Sequence, residues 1–281
     1  MILWLSISKK CKKGEKMDEL IKLHLNGSLQ LFFSNIIKKE DYDIYYSKLI
    51  NDEYWNYAYL KKNQLDLKTI KYISLDMKQI DRKPVIYITS NILNKNLKQE
   101  INELNLELLY TDCWMCLNNL EKFTINKNTM DFSISKVDNN LKDKFVKAVM
   151  DGFSGDNPED PYNDLPVGYK VSIEKSFNND VNSKIKIVHY LGIKNNEPIS
   201  TATVIYNANK AVIYNITTAK QYQRKGICKQ MMFYIINELN KLNIEEVCLQ
   251  TEKGYYTEEV YRKIGFKEKF LGCAYLLKGD Q

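Results

Sequence analysis

Ala211 to Thr217 is a short run rich in β-branched and apolar residues, and it reads as a strand. Ile227 to Leu242 follows, with Cys228, Met231, Met232, Ile235, Leu239 and Leu242 on one helical stripe. Gly226 stands at the join. A strand that turns through a glycine into a one-sided helix belongs to a sheet with helices packed on it. The same turn is an anion site in physical terms. A helix N-terminus offers unpaired N–H groups and a partial positive charge, and glycine has no Cβ to hold a ligand off. A pyrophosphate fits such a turn, and Arg224, Lys225 and Lys229 add positive charge around it. The segment is neither a Walker A motif nor a GxGxxG fingerprint, because the further glycines and the Gly-Lys-Ser/Thr ending are missing.

The rest of the second half alternates in the same way. Phe132 to Ser135, Lys184 to Ile193, Ile199 to Tyr206 and Glu246 to Gln250 read as strands, with residues 194–197 as a hairpin turn. Leu141 to Phe153, Val171 to Phe177 and Thr257 to Ile264 read as helices, and Phe266 to Leu277 as a final strand pair. The order is β-α-α-β-β-β-α-β-α-β, an α/β or α+β sheet, mixed and mainly antiparallel, flanked by helices. In the first half, helical spacing spans Leu20 to Ile37. Tyr54 to Leu60 and Pro84 to Thr89 read as strands, Asn94 to Asn105 as a helix, and Leu106 to Leu117 as another strand. The polar stretch Asn118 to Met130 marks a boundary. It leaves a smaller α/β domain at 17–130, a domain at 131–281, and a basic start, 1–16, expected to be disordered or non-native.

Among 281 residues, 41 Lys and Arg face 35 Asp and Glu, a net charge of +6. That excess is mild and interleaved with acid throughout, and the 20 tyrosines form no base-stacking module, so no nucleic-acid partner is expected. No apolar run is long enough to span a bilayer, so no membrane partner is expected either. The six scattered cysteines read as reduced thiols of a cytoplasmic protein. Cys113 and Cys116 form a lone CxxC without two further ligands, so no metal is expected. His24 and His189 lack any partner pattern and read as surface or core residues.

Gln223-Arg224-Lys225-Gly226-Ile227-Cys228 resembles the Gln/Arg-x-x-Gly-x-Gly/Ala signature of the GNAT superfamily of acetyl-CoA-dependent N-acetyltransferases. Thirty-five residues after Gly226, Tyr261-Arg262-Lys263-Ile264-Gly265-Phe266 resembles the family's late Tyr-x-x-x-Gly-Phe element. The resemblance covers residues 131–281. It implies direct acetyl transfer from acetyl-CoA, as co-substrate, to a primary amine through a tetrahedral intermediate. It further implies that the strand carrying Ile216, Thr217 and Thr218 splays from its parallel neighbour. The pantetheine arm would lie in that gap, and Gln223 to Cys228 with Lys229 would hold the pyrophosphate. Tyr261 matches the tyrosine that protonates the leaving thiolate, a task a phenol suits, although it also reads as a packing tyrosine. Gly265 and Phe266 read as a helix cap and a core aromatic.

Two departures stand out. Cys228 occupies a position where the family has Gly or Ala, and the strand at 211–217 lacks the glutamate that serves some members as base. Tyr214 and Asn215 are poor bases, so a water chain to a distant acid is expected. The acidic loop from Asp151 to Asp164, with Asp156 and Tyr162, lies where the acceptor would enter and suits a cationic small molecule or a peptide amine; it equally suits a solvated loop. The first half resembles the later strand-helix-strand part of the same fold without its glycine signature, as a degenerate tandem copy would. The alternative is a non-catalytic CoA-binding or regulatory module, and the assembly is expected to be a monomer or homodimer.

Overall fold

The computed structural model describes residues 18–104, 106–123, 130–154, 165–178 and 183–277. The basic start expected to be disordered lies outside these residues. In chain order the elements are α1 (Glu19–Ser28), β1 (Asn35–Lys38), β2 (Tyr42–Tyr46), β3 (Asn56–Leu60), α2 (Leu67–Gln79), β4 (Val85–Thr89), α3 (Lys95–Glu103) and β5 (Glu107–Asn118). They continue with β6 (Ser133–Lys136), α4 (Lys142–Phe153), α5 (Val167–Ser176), β7 (Lys186–Lys194), β8 (Glu197–Tyr206), β9 (Lys210–Thr218), α6 (Ile227–Lys241), β10 (Glu246–Glu252), α7 (Tyr256–Ile264) and β11 (Lys267–Leu276).

All eleven described strands join one sheet in the order β1-β2-β3-β4-β11-β5-β10-β9-β8-β7-β6. Only β3–β4 and β9–β10 pair in parallel, each across a helical crossover; the other pairs are antiparallel. The halves interleave at the centre. Strand β5 of the first half lies between β10 and β11 of the second, and β11 lies between β5 and β4. The polar stretch at 118–130 therefore joins two strands of one continuous sheet. The run β3-α2-β4-α3-β5 is repeated as β9-α6-β10-α7-β11, and each repeat hands its last strand to the other half.

Side chains on β5 show how the layers form. Tyr110, Trp114 and Cys116 point into a core shared by α1, α4 and α5, while Cys113, Met115 and Leu117 point into a core under α6 and α7. Strand alternation requires this two-sided burial. A third core packs α2 and α3 on the first half, with Ile73, Met77, Leu97 and Ile101 against Ile86 and Ile88.

Several sequence expectations need correction. The helix expected over Leu20 to Ile37 stops at Ser28. Gly27 lies so close to Ile205 that a Cβ would come within 2.4 Å of it, and the Ser28 carbonyl accepts from Leu31, Phe32 and Phe33 in a tight turn. Strands β1 and β2 and helix α2 escaped the pattern, and the expected final strand pair is the single strand β11. The six cysteines are not all free. Cys116 lies opposite Cys248 in the β5–β10 register, with Cα atoms 4.2 Å apart, and a disulfide joins them. Cys113, three residues away, points to the other face.

Candidate active site at a parting of two strands

Strands β9 and β10 pair from Lys210 and Glu246 to Ile213 and Leu249, and then part. The cause is a bulge. Thr203 opposes Tyr214 and Thr201 opposes Thr217, so β9 carries one extra residue there. Asn215 takes the turn with φ of 51°, a left-handed conformation that asparagine tolerates better than most residues. Beyond it β9 follows β8, while the end of β10 follows β5.

A buried polar chain holds the bulge. The Asn215 amide donates to Thr203 Oγ1 at 2.9 Å, and the Tyr169 hydroxyl donates to Asn215 Oδ1 at 3.3 Å. Ser176 Oγ donates to the Ile173 carbonyl, so it accepts from His189 Nε2 at 2.8 Å. His189 Nδ1 then accepts from Thr203 Oγ1 at 2.9 Å. Burial drives the His189 pKa down to about 3, which keeps the ring neutral and fixes these roles. Thr201 Oγ1 donates to the Asn215 carbonyl at 2.7 Å and Ser200 Oγ donates to the Thr217 carbonyl at 2.8 Å.

The strand leads into the turn that ends at α6. Gly226 is the N-cap of α6 with φ of 78°, and a Cβ placed there would meet nothing within 4 Å. No side chain caps the first-turn N–H groups of Ile227, Cys228 and Lys229. Gln223, Arg224 and Lys225 are exposed in the turn, and Arg224 is left-handed with φ of 60°. The Lys225 and Lys229 ammoniums lie over the rings of Tyr222 and Phe233, at 5.5 and 5.3 Å from the centroids. The arrangement fits a pyrophosphate. The corresponding turn before α2 is filled by the chain itself: Asp66 accepts from Thr69 N at 2.7 Å, and Glu100 accepts from Leu65 N at 2.7 Å.

Ile216 and Thr218 are half-buried on the diverging part of β9, and Thr217 is buried. Gly152, near the end of α4, packs directly on Thr217: a Cβ there would lie 2.4 Å from the Thr217 Cβ. Cys228 is half-buried, and burial lifts its thiol to about 11, so it stays protonated. Tyr261 is buried on α7, in the apolar cluster that Cys228 packs against. Burial raises its phenol well above the ordinary value and keeps it in the donor form. The Gly265 N–H satisfies the last carbonyls of α7 with φ of 121°, and Phe266 is buried beside Tyr261. Tyr214 faces the opposite side of the sheet, where its hydroxyl lies 2.6 Å from His24 Nδ1; His24 Nε2 lies 3.1 Å from the Tyr57 hydroxyl. Asp156 and Tyr162 lie outside the described residues.

Sequence reasoning missed Asp112. It is 1% exposed on β5, and its carboxylate accepts from the Tyr87 hydroxyl at 2.8 Å and from the Gln250 amide at 2.5 Å. The signal was an acid directly before the apolar run Cys113 to Leu117 of β5. A second acidic group, Cys113, Glu258 and Glu268, has ligand atoms within 4.8 Å of one another. The Lys253 ammonium pairs with both of its carboxylates, at 3.0 and 2.6 Å, so an internal cation already serves it.

Residues 169–272 match the model of the acetyltransferase (GNAT) domain. Solved structures share the fold over almost the whole chain. A conserved protein of unknown function from Staphylococcus epidermidis is 15% identical, covers 88% of this chain and 94% of its own, and has a TM-score of 0.64. A GCN5-related N-acetyltransferase from Kribbella flavida is 11% identical, covers 93% and 95%, and has a TM-score of 0.64. A tandem GNAT protein from the clavulanic acid biosynthesis pathway is 7% identical, covers 92% and 89%, and has a TM-score of 0.59. No curated protein matches the chain in sequence. At these identities the structures speak for the fold, which is that of the GNAT N-acetyltransferases, and a tandem member is among them.

Proposed function

We propose that this chain is an N-acetyltransferase that moves an acetyl group from acetyl-CoA directly to a primary amine. The observation that carries the reading is that β9, after leaving β10 beyond Ile213, leads through one turn into the uncapped, glycine-led N-terminus of α6. The N–H groups of Ile227, Cys228 and Lys229, with Gln223 to Gly226, hold the pyrophosphate. The edge of β9 at Ile216, Thr217 and Thr218, which no longer pairs with β10, receives the pantetheine arm as an added strand, and N–H groups near Thr217 and Thr218 steady the oxyanion. Tyr261 gives its proton to the departing thiolate. Transfer is direct in this reading, and Cys228, the thiol at the start of α6, is held protonated by burial.

One site is proposed, in the second half, since Asp66 and Glu100 fill the equivalent turn of the first. The acceptor is a cationic amine, of a small molecule or a peptide. It meets the thioester from the face of α1, α4 and α5, opposite the pyrophosphate. Asp156 and Tyr162 join this acceptor side on sequence grounds alone.

Calorimetry with acetyl-CoA tests the reading. Wild-type protein is expected to bind one acetyl-CoA per chain, and Gly226→Asp to abolish binding while the protein stays folded. Unchanged affinity in the variant would remove the pyrophosphate from this turn. Thiol release across an amine library then separates an enzyme from a module that only holds CoA.

A further inference from the structure

The strand at 211–217 has no carboxylate, yet an ammonium must lose a proton before its nitrogen can attack. Asp112 stands where such a base is needed. It lies opposite Glu252, three positions beyond Leu249, the last residue of β10 that pairs with β9. Strand alternation puts its side chain on the same face as Tyr110 and Trp114, under α1, α4 and α5. That is the face by which the proposed acceptor enters, opposite the pyrophosphate at α6. Adjacent strands are about 4.8 Å apart, so Asp112 is one strand from the edge of the parting, within reach of a side chain and one water. Asp112 Oδ2 accepts both hydrogen bonds, from Tyr87 and Gln250. Its Oδ1 is buried and has no hydrogen-bond partner among the described residues. An unsatisfied buried carboxylate oxygen is costly, and functional sites are where such groups persist.

We propose that Asp112, delivered into the second half by the exchanged strand β5, is the general base for the acceptor amine. This rests on the N-acetyltransferase reading. The ammonium gives one proton to Asp112 through a water. The freed lone pair attacks the thioester carbonyl carbon, and a C–N bond forms. The C–S bond then breaks, and the sulfur leaves as thiolate and gains the nitrogen's second proton by way of Tyr261. The proton on Asp112 returns to water, so each turnover releases one proton.

The environment tunes the group for this task. The titratable and polar groups around it on its own face are Tyr87 from β4, Gln250 and Glu252 from β10, Tyr57 from β3, Tyr110 on its own strand and Tyr54 from the turn before β3, while Cys273 from β11 lies on the opposite face beside Thr111. Burial lifts the Asp112 pKa to about 7. The bonds from Tyr87 and Gln250 pull it down, and the charge of Glu252 pushes it up. A base poised near neutrality combines the ionised form with real proton affinity.

The test measures thiol release from acetyl-CoA with spermidine, an aminoglycoside and a lysine peptide as acceptors, from acid to alkaline pH, beside acetyl-CoA affinity by calorimetry. Asp112→Asn is expected to cost about 100-fold or more in kcat. It should abolish the rise in rate through pH near 7 and leave acetyl-CoA affinity unchanged. Tyr87→Phe removes a bond that lowers the Asp112 pKa, so the rise should move to higher pH; it carries the test if Asp112→Asn fails to fold. Wild-type rates and profile in Asp112→Asn, or an unmoved profile in Tyr87→Phe, would overturn the assignment and leave the acetyltransferase reading standing. Acetyl-CoA binding without thiol release on any of the three amines would overturn it as well. Absence of acetyl-CoA binding in the wild type would fell the parent reading, a distinct result.

Discussion

The Tyr87 hydroxyl donates to Asp112 at 2.8 Å across a strand that lies between their own two. Gly272 on the intervening β11 makes the crossing possible. It sits opposite Asp112 in the register, and a Cβ there would come within 1.9 Å of the Tyr87 oxygen. Gly272→Ala should therefore expel the tyrosine, at a stability cost on the order of 1–3 kcal/mol. Chemical denaturation reads the cost. A variant as stable as the wild type would show that the crossing has slack.

Gly152→Ala should act on the shape of the gap between β9 and β10. Its methyl group would collide with Thr217, which lines the parting. The expected result is a lower melting temperature together with weaker acetyl-CoA binding, read by calorimetry. Loss of stability with intact affinity would separate the packing of α4 from the shape of the gap.

A fragment of residues 131–281 should not be an independent enzyme. It lacks β5, the strand that pairs with both β10 and β11. Two open edges and an uncovered apolar face would remain, the condition that leads to aggregation. Expression and size-exclusion chromatography decide it; a monodisperse, acetyl-CoA-binding fragment would refute the dependence.

Stability should depend on pH from two opposed sources. Burial lowers the pKa of His24 and of His189 from 6.5 to about 3. Between those values the unfolded chain binds protons that the folded chain does not, so the fold weakens as pH falls through that window. Asp112 and Asp52 are raised by burial from 3.8 to about 7 and about 6, so they hold protons in the fold that the unfolded chain has released. Their contribution weakens the fold as pH rises from 4 towards 7. Melting temperatures across pH should therefore show an acid limb that flattens in His189→Gln. Asp112→Asn should gain stability relative to wild type as pH rises towards 7.

Cys116 and Cys248 should be recovered as one linked peptide pair in a non-reducing digest. Cys113, Cys228 and Cys273 should alkylate once the chain is unfolded without reductant. Alkylation of Cys116 under those conditions would show that the pair is held as thiols.

Local patterns made the second half legible. The stripe from Ile227 to Leu239 and the glycine before it are read from neighbours a few residues apart, and α6 forms where expected. The strand exchange was not legible, because β5 looks like any buried strand whichever partner it takes. The same blindness hid the Cys116–Cys248 bond, which spans 132 residues of sequence. Asp112 was hidden for a related reason: its meaning depends on Glu252, Gln250 and Tyr87, none of which is near it in the chain. Helix α2 escaped because only Thr69, Ile73 and Met77 on it are buried, a stripe too thin to stand out.

The exchanged strands also order events during synthesis. Once β4 has been made, its neighbour β11 is still some distance off, from Thr89 to Lys267 along the chain. At ordinary elongation rates that interval lasts on the order of 10–40 s. Throughout it the nascent first half must carry an unzipped edge at β4 and a strand β5 whose partners do not yet exist. The protein's most vulnerable moment thus falls on the ribosome, before the residues that close the sheet have been translated.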